Sequence, residues 1–175
     1  MSTNRFIHWV KNGDIKNLLN QKDADFYRTN RGGDITYHGP GQITGYPILD
    51  LEAMGISLSR YIFLLEESVI NSLRHYGLHG KRLKTAAGVW LFENNNRNER
   101  KICAIGIKSS RFITMHGFAF NVNTDLNYFK NIIPCGIADK QVTSLQQELQ
   151  KEIDFQEVKQ VLKTSFANCF DCLLV

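Results

Sequence analysis

A cysteine set between a proline and a glycine is the residue of this chain whose surroundings best suit chemistry. In "NIIPCGIADK", Cys135 lies between Pro134 and Gly136, where no helix or regular strand runs through. Such a loop can hold a thiol at the lip of a pocket, with the following N–H groups turned toward a developing oxyanion. A half-buried turn cysteine is the plainer alternative, and Pro-Cys-Gly alone does not exclude it. A thiol becomes a nucleophile as its thiolate, which needs a neighbouring cation or a general base. Lys101, Lys108, Lys140, His38 and His116 are the candidates. Lys101 opens a run that turns apolar at once, which suits an ammonium at a sheet edge beside a pocket, although a solvated surface charge is the commoner fate of a lysine. Cys103, inside "KICAIGI", and Cys169 read as small buried hydrophobes. Cys172, near the end of the sequence, has nothing beside it to activate it. No CxxC and no Cys/His pairing at zinc spacing occurs, which argues against a bound metal.

The elements that hold these groups must come from a chain of 175 residues, which suits one domain with a real core. Hydrophobic residues make up 43% and charged residues 22%, proportions of a folded globular protein. The net charge of +4 is mild and scattered, with no basic stripe interleaved with aromatics, so nucleic acid is not expected as a partner. That surface does favour encounter with an acidic protein. No apolar run approaches the ~20 residues of a membrane helix. "MSTNRFIHWVKNGD" has no signal-peptide pattern. The expectation is therefore a cytoplasmic protein with reduced cysteines and no membrane partner.

"DITYH", "QITGYPILDL", "GVWLF", "KICAIGI" and "HGFAFNVN" have the β-branched, aromatic and alternating content of strands. Between Ser57 and Tyr76, residues Leu58, Ile62, Leu65, Val69 and Leu73 recur at helical spacing, with Ser57 as N-cap and Gly77 as stop. "TSLQQEL" opens a short helix through a Thr143/Gln146 or a Ser144/Gln147 pair. Asp154 and Glu157 open a last helix with Phe155, Val158, Leu162, Phe166, Cys169 and Leu173 on its apolar face. "ENNNRNER" reads as an exposed hairpin tip. Strands and helices mix without regular βαβ alternation, which predicts an α+β domain: a mixed sheet with helices packed on it.

Taken together, the motifs are more specific than their parts. "RGGDITYHGPGQITGYP" resembles the signature of the lipoyl(octanoyl) transferases, through Arg31, Gly32, Gly33, Thr36, Tyr37, His38, Gly41, Gln42 and Tyr46. "KICAIGIK" resembles that family's catalytic-lysine strand and "HGFAFNVNTDL" its His-Gly substrate strand. "NIIPCGIADKQVTSL" resembles its nucleophile loop and the following helix start. All fall in the family's order.

The resemblance implies the catalytic fold of biotin and lipoate protein ligases. It implies transfer of octanoyl, or lipoyl, from octanoyl-acyl carrier protein to a lysine of lipoyl domains of 2-oxoacid dehydrogenases or of glycine cleavage H protein. No cofactor is implied, because a thioester is already activated. The family's nucleophile lands on Cys135 and its activating lysine on Lys101. The acyl-binding segments land on Arg31, Gly32, Gly33, Asp34, Ile35, Thr36, Tyr37 and His38, on Ala104, Ile105 and Gly106, and on His116, Gly117, Phe118 and Ala119. The glycines would let chain and ligand approach closely. Strand alternation puts Lys101, Cys103 and Ile105 on one face and Ala104 and Gly106 on the other. Lys101 is therefore expected to bend across a sheet edge to reach the slot. Relative to the family the chain starts late, near "FIHWVKNGD", so residues 1–175 are expected to form one N-terminally shortened catalytic domain. Three rival functions are an ATP-dependent lipoate or biotin protein ligase, a non-catalytic binder of acyl carrier protein or lipoyl domains, and a cysteine thioesterase.

Overall fold

The structure is a computed structural model and describes residues 5–10, 19, 25–32, 35–92, 98–132 and 141–174. Its strands are β1 (Phe6–Val10), β2 (Asp25–Thr29), β3 (Thr36–His38), β4 (Gln42–Gly45), β5 (Lys81–Leu83), β6 (Ala86–Leu91), β7 (Arg100–Ser110), β8 (Ile113–Asn121) and β9 (Gln141–Val142). Its α-helices are α1 (Leu58–His75), α2 (Leu145–Leu149) and α3 (Phe155–Phe170). The larger sheet has the order β4-β8-β7-β6-β5, with β9 alongside the start of β7; a smaller sheet has the order β2-β1-β3. In the smaller sheet β1 runs parallel to β2 and antiparallel to β3. This is the mixed α+β architecture expected.

One face of the larger sheet buries the main core. Phe118 and Phe120 of β8 pack with Leu65, Val69 and Leu73 of α1 and Val158, Leu162 and Phe166 of α3. Each such side chain contributes about 1.5–3 kcal/mol of burial, so the helical face at three-and-four spacing is what fastens α1 to the sheet. The caps expected from sequence are in place. Ser57 accepts from the Arg60 N–H, Ser144 from Gln147 and Asp154 from Gln156 and Glu157. Of the two pairs open at α2, the Ser144/Gln147 pair is therefore the one used. Gly77, just past α1, has φ +74°, the left-handed conformation glycine adopts without penalty.

Two expectations about the elements need correction. The strand expected through Leu51 stops at Gly45, because Pro47 follows closely and has no N–H for a ladder. Its continuation lies along β8 irregularly: Thr114 N–H donates to Leu49 O and its hydroxyl to Pro47 O. Helix α3 ends at Phe170, with Asp171 in the left-handed region at φ +49°. Leu173 is consequently 93% exposed and off the apolar face. The N-terminal strands β1 and β2 were not anticipated; the alternating "FIHWV" carries the signal for the first of them. Most of the expected hairpin tip, residues 93–97, and the "PCG" loop lie outside the described residues.

Candidate active site

The face of the larger sheet away from α1 carries small side chains. In the β7–β8 ladder Ala104 pairs with Ala119, and Gly106 with Gly117. Opposite them stand Ile35 and then Thr36 and His38, from the two ends of β3. Between these walls lies a pocket that His8, Arg31, Tyr46, Lys101 and His116 also line, together with the intervening residues Ile105 and Phe118. A second, smaller cavity continues past Lys101. It shares Thr36, Lys101, Ala104 and Ala119 with the first and is closed by Gln42, Asn121, Phe129 and Val142. An apolar floor of alanines and glycines with polar groups at one end suits a chain-like acyl ligand carrying a reactive head.

Lys101 reaches this pocket by a route that strict alternation does not allow. The β6–β7 register steps from Val89↔Cys103 to Trp90↔Lys101, one residue on β6 against two on β7. Ile102 is the extra residue of a β-bulge. Ile102 and Cys103 are both fully buried in the main core, so consecutive side chains point the same way, and Lys101 is turned to the face of Ala104. Bulges commonly re-aim a side chain next to an active site in this manner. The lysine is not bent across an edge as expected. Its ammonium lies 4.6 Å from the Trp90 ring centre, and the residue is only 6% exposed. Its backbone is pinned on the other side, where the Thr143 N–H donates to Lys101 O at 2.9 Å. Thr143 is itself tied to Glu148 at 2.6 Å, and Glu148 to Arg100 Nε at 2.9 Å. Burial alone would raise the Glu148 pKa; the Arg100 fork and the Thr143 hydroxyl outweigh it and hold the carboxyl below its ordinary range.

The glycines serve chain-to-chain contact. A Cβ on Gly106 would meet Arg31 Nη1 and Gly32 O at 2.9 Å, and one on Gly32 would meet Ile107 O at 2.8 Å. The Gly32 N–H donates to that same carbonyl. The 31–32 segment is thus laid directly on β7, which brings Arg31 to the pocket. Gly117 makes room for the Gly45 carbonyl and the Pro47 ring. Beside it, His116 has φ +62° inside a strand, a conformation that costs a non-glycine residue on the order of 1–3 kcal/mol.

Tyr37 is turned the other way. Flanked by Thr36 and His38 on the pocket face, it points by alternation into the second core with Ile7, Ile35 and Ile132, stacks on Tyr128 and is 1% exposed. It supports the wall and does not line the pocket. Gly33, Asp34 and Cys135 lie outside the described residues. Sequence reasoning overlooked His8, which alternation in "FIHWV" could have placed beside β3. It noticed Tyr46 as part of a motif without placing it at the site.

The pocket is electropositive. Arg31, Lys101 and three histidines line it, with no carboxylate among the described lining residues. Burial pushes His38 down to about 4; the Gln42 hydrogen bond works against this and Arg31 reinforces it. His8 is likewise lowered to about 4, by burial first and then by the charges of His38, Arg31 and His116. Both rings are neutral at neutral pH. Cys103, by contrast, is a core thiol: burial pushes its pKa far up despite the nearby Lys101.

The fold defines the class of protein. Lipoate-protein ligase A bound with ATP superposes with a TM-score of 0.72 at 17% identity, covering 98% of this chain and 71% of that one. The bipartite lipoate protein ligase of Thermoplasma acidophilum gives 0.74 at 17% identity, covering 98% and 70%. The biotin protein ligase of Aquifex aeolicus gives 0.57 at 19%, covering 75% and 53%. This is the catalytic fold of lipoate and biotin protein ligases. The chain belongs to the lipoyl protein ligase A/B catalytic domain family, which matches residues 12–167. Within the family it is similar to the octanoyltransferase of Parabacteroides distasonis, 54% identical over 91% of this chain and 75% of that one. It is also 54% identical to the octanoyltransferase of Christiangramia forsetii over 94% and 73%, and 58% identical to that of Bacteroides fragilis over 79% and 62%. Among the described residues, no helix is long and apolar enough to cross a membrane.

Proposed function

We propose that this domain transfers an octanoyl group from the thioester of an acyl carrier protein to a lysine amine of a lipoyl domain, through an acyl-cysteine intermediate on Cys135. The observation that carries this reading is the 54–58% identity to relatives named octanoyltransferase, against 16–20% to the ligase structures. That contrast favours acyl transfer over ATP-dependent ligation on the same fold. The pocket supports it, because a floor of Ala104, Gly106, Gly117 and Ala119 beneath Lys101 matches a saturated chain ending at a carbonyl.

In the first half-reaction the Cys135 thiol loses its proton to Lys101 and attacks the octanoyl carbonyl. The C–S bond to the carrier breaks and the carrier thiol leaves with a proton. In the second, the neutral amine of the acceptor attacks the S-octanoyl enzyme, an amide forms, and the amine's surplus proton passes through Lys101 to the departing Cys135 sulfur. The test is intact mass after mixing with octanoyl-acyl carrier protein and no nucleotide. An adduct of one octanoyl group is expected, lost in Cys135→Ser and discharged by a lipoyl domain faster than by water. An adduct that forms only with ATP, persists in Cys135→Ser, or is discharged equally fast by water would overturn the proposal.

A further inference from the structure

A hydrogen-bond chain of fixed direction runs from β8 to the pocket wall. Asn121 Nδ2 donates to the Thr143 carbonyl at 3.0 Å, so its Oδ1 is left to accept. Gln42 Nε2 donates to that Oδ1 at 2.8 Å and to the Tyr37 carbonyl at 3.3 Å, so Gln42 Oε1 faces away from both. Oε1 lies 2.7 Å from His38 Nδ1. Both carbonyls can only accept, so neither amide can be reversed without setting acceptor against acceptor. The hydrogen must then be on Nδ1, and the lone pair of the ring is on Nε2. Nε2 makes no hydrogen bond among the described residues, and His38 and Lys101 both line the pocket. Arg31 and His8 stand beside the ring, which disfavours its protonation.

Arg31 in the pocket is a donor only, and Lys101, once its proton has gone to the carrier thiol, has a single lone pair, which takes the one amine proton that is removed. Arg31 serves a thioester carbonyl and the oxyanion it becomes; the second N–H of the attacking amine needs an acceptor of its own. From this arrangement we infer that His38 is the positioning residue for the second substrate, its Nε2 accepting a hydrogen bond from the neutral acceptor amine and aiming the nitrogen lone pair at the acyl carbon. This role rests on the acyl-transfer reading above and takes no proton: the C–N bond forms, the C–S bond breaks, and the amine's proton follows the Lys101 route. Gln42, by holding the hydrogen on Nδ1, is what leaves the Nε2 lone pair available as the acceptor.

The experiment separates the half-reactions. Octanoyl-acyl carrier protein loads the enzyme, a lipoyl domain is added, and intact mass follows loading and discharge. His38→Gln places an amide oxygen where Nε2 stands, whereas His38→Asn is too short to do so. Because His38 also lines the pocket, the readout is discharge relative to loading: it should stay within about tenfold of wild type in His38→Gln and fall 30-fold or more in His38→Asn, in kcat more than in KM. Gln42→Glu keeps an acceptor against Nδ1 but loses the donor to Asn121 Oδ1 and the Tyr37 carbonyl, and its charge stabilises the imidazolium, turning Nε2 into a donor; discharge relative to loading should fall. Equal discharge by wild type and His38→Asn overturns the role while leaving acyl transfer standing. Failure of the wild type to load overturns both. As a reading independent of activity, imidazole nitrogen shifts should report Nδ1–H and a bare Nε2 on His38; the opposite tautomer overturns the inference.

Discussion

The Lys101 ammonium lies 4.6 Å from the centre of the Trp90 ring, although the two residues face each other only because Ile102 bulges out of the β6–β7 ladder. The indole face attracts the cation, an interaction of about 0.5–2 kcal/mol depending on desolvation. It also fixes where the amine can reach. Trp90 is fully buried and its Nε1 donates to Ala86 O at 3.4 Å, so the platform under the lysine is rigid.

If Lys101 manages the proton of both half-reactions, Lys101→Met should slow loading by a factor of about 10²–10⁴, the usual weight of a positioned acid–base group. Methionine keeps the length and the contact with Trp90, so folding should survive. The rate of octanoyl-adduct formation in single turnover is the measurement. A decrease under fivefold would remove Lys101 from the proton path.

Ala119 and Ala104 form part of the pocket lining, paired across β7 and β8. Ala119→Leu should fill the slot and raise the octanoyl donor's KM about 10–100-fold, while a butyryl thioester still loads, consistent with 1–3 kcal/mol for methylene-scale misfit. Unchanged preference between the two chain lengths would place the acyl group elsewhere.

His8 and His38 titrate near 4 in the folded protein against an ordinary 6.5. Between those values the unfolded chain binds the protons and the folded protein does not, so stability falls as pH drops from 6.5 toward 4. Removing one such group by His38→Gln should flatten this fall, by at most about 1.4 kcal/mol per pH unit. Urea midpoints from pH 7 to 4.5 for the two proteins would test it; parallel curves would mean that His38 is not held neutral.

Cys103 is fully buried and its thiol is pushed far above the ordinary range, whereas Cys169 and Cys172 are half-buried. Iodoacetamide on the folded protein at neutral pH should leave Cys103 unlabelled until denaturant is added. Cys103→Ala should preserve octanoyl loading. Rapid native-state labelling of Cys103 would show that β7 opens locally.

Much of this molecule was legible as a string of residues, because its signals are local. Three-and-four spacing with Ser57 and Gly77 at the ends specifies α1, and Asp154 and Ser144 announce their helices through side chains that satisfy nearby N–H groups. The motif residues Thr36, His38, Ala104, Gly106 and Ala119 meet at one pocket, since alternation assigns faces from a single strand. What escaped depends on partners distant in sequence. A bulge exists only as a mismatch between two paired strands, so Lys101's true face could not be read from "KICAIGI". The His38 tautomer needs Gln42, Asn121 and the Thr143 carbonyl together. The crowding that demands Gly106 comes from Arg31 and Gly32, some 75 positions earlier in the chain. Packing of remote segments decides such features, because sterics and hydrogen-bond direction act through space and leave no periodicity along the chain.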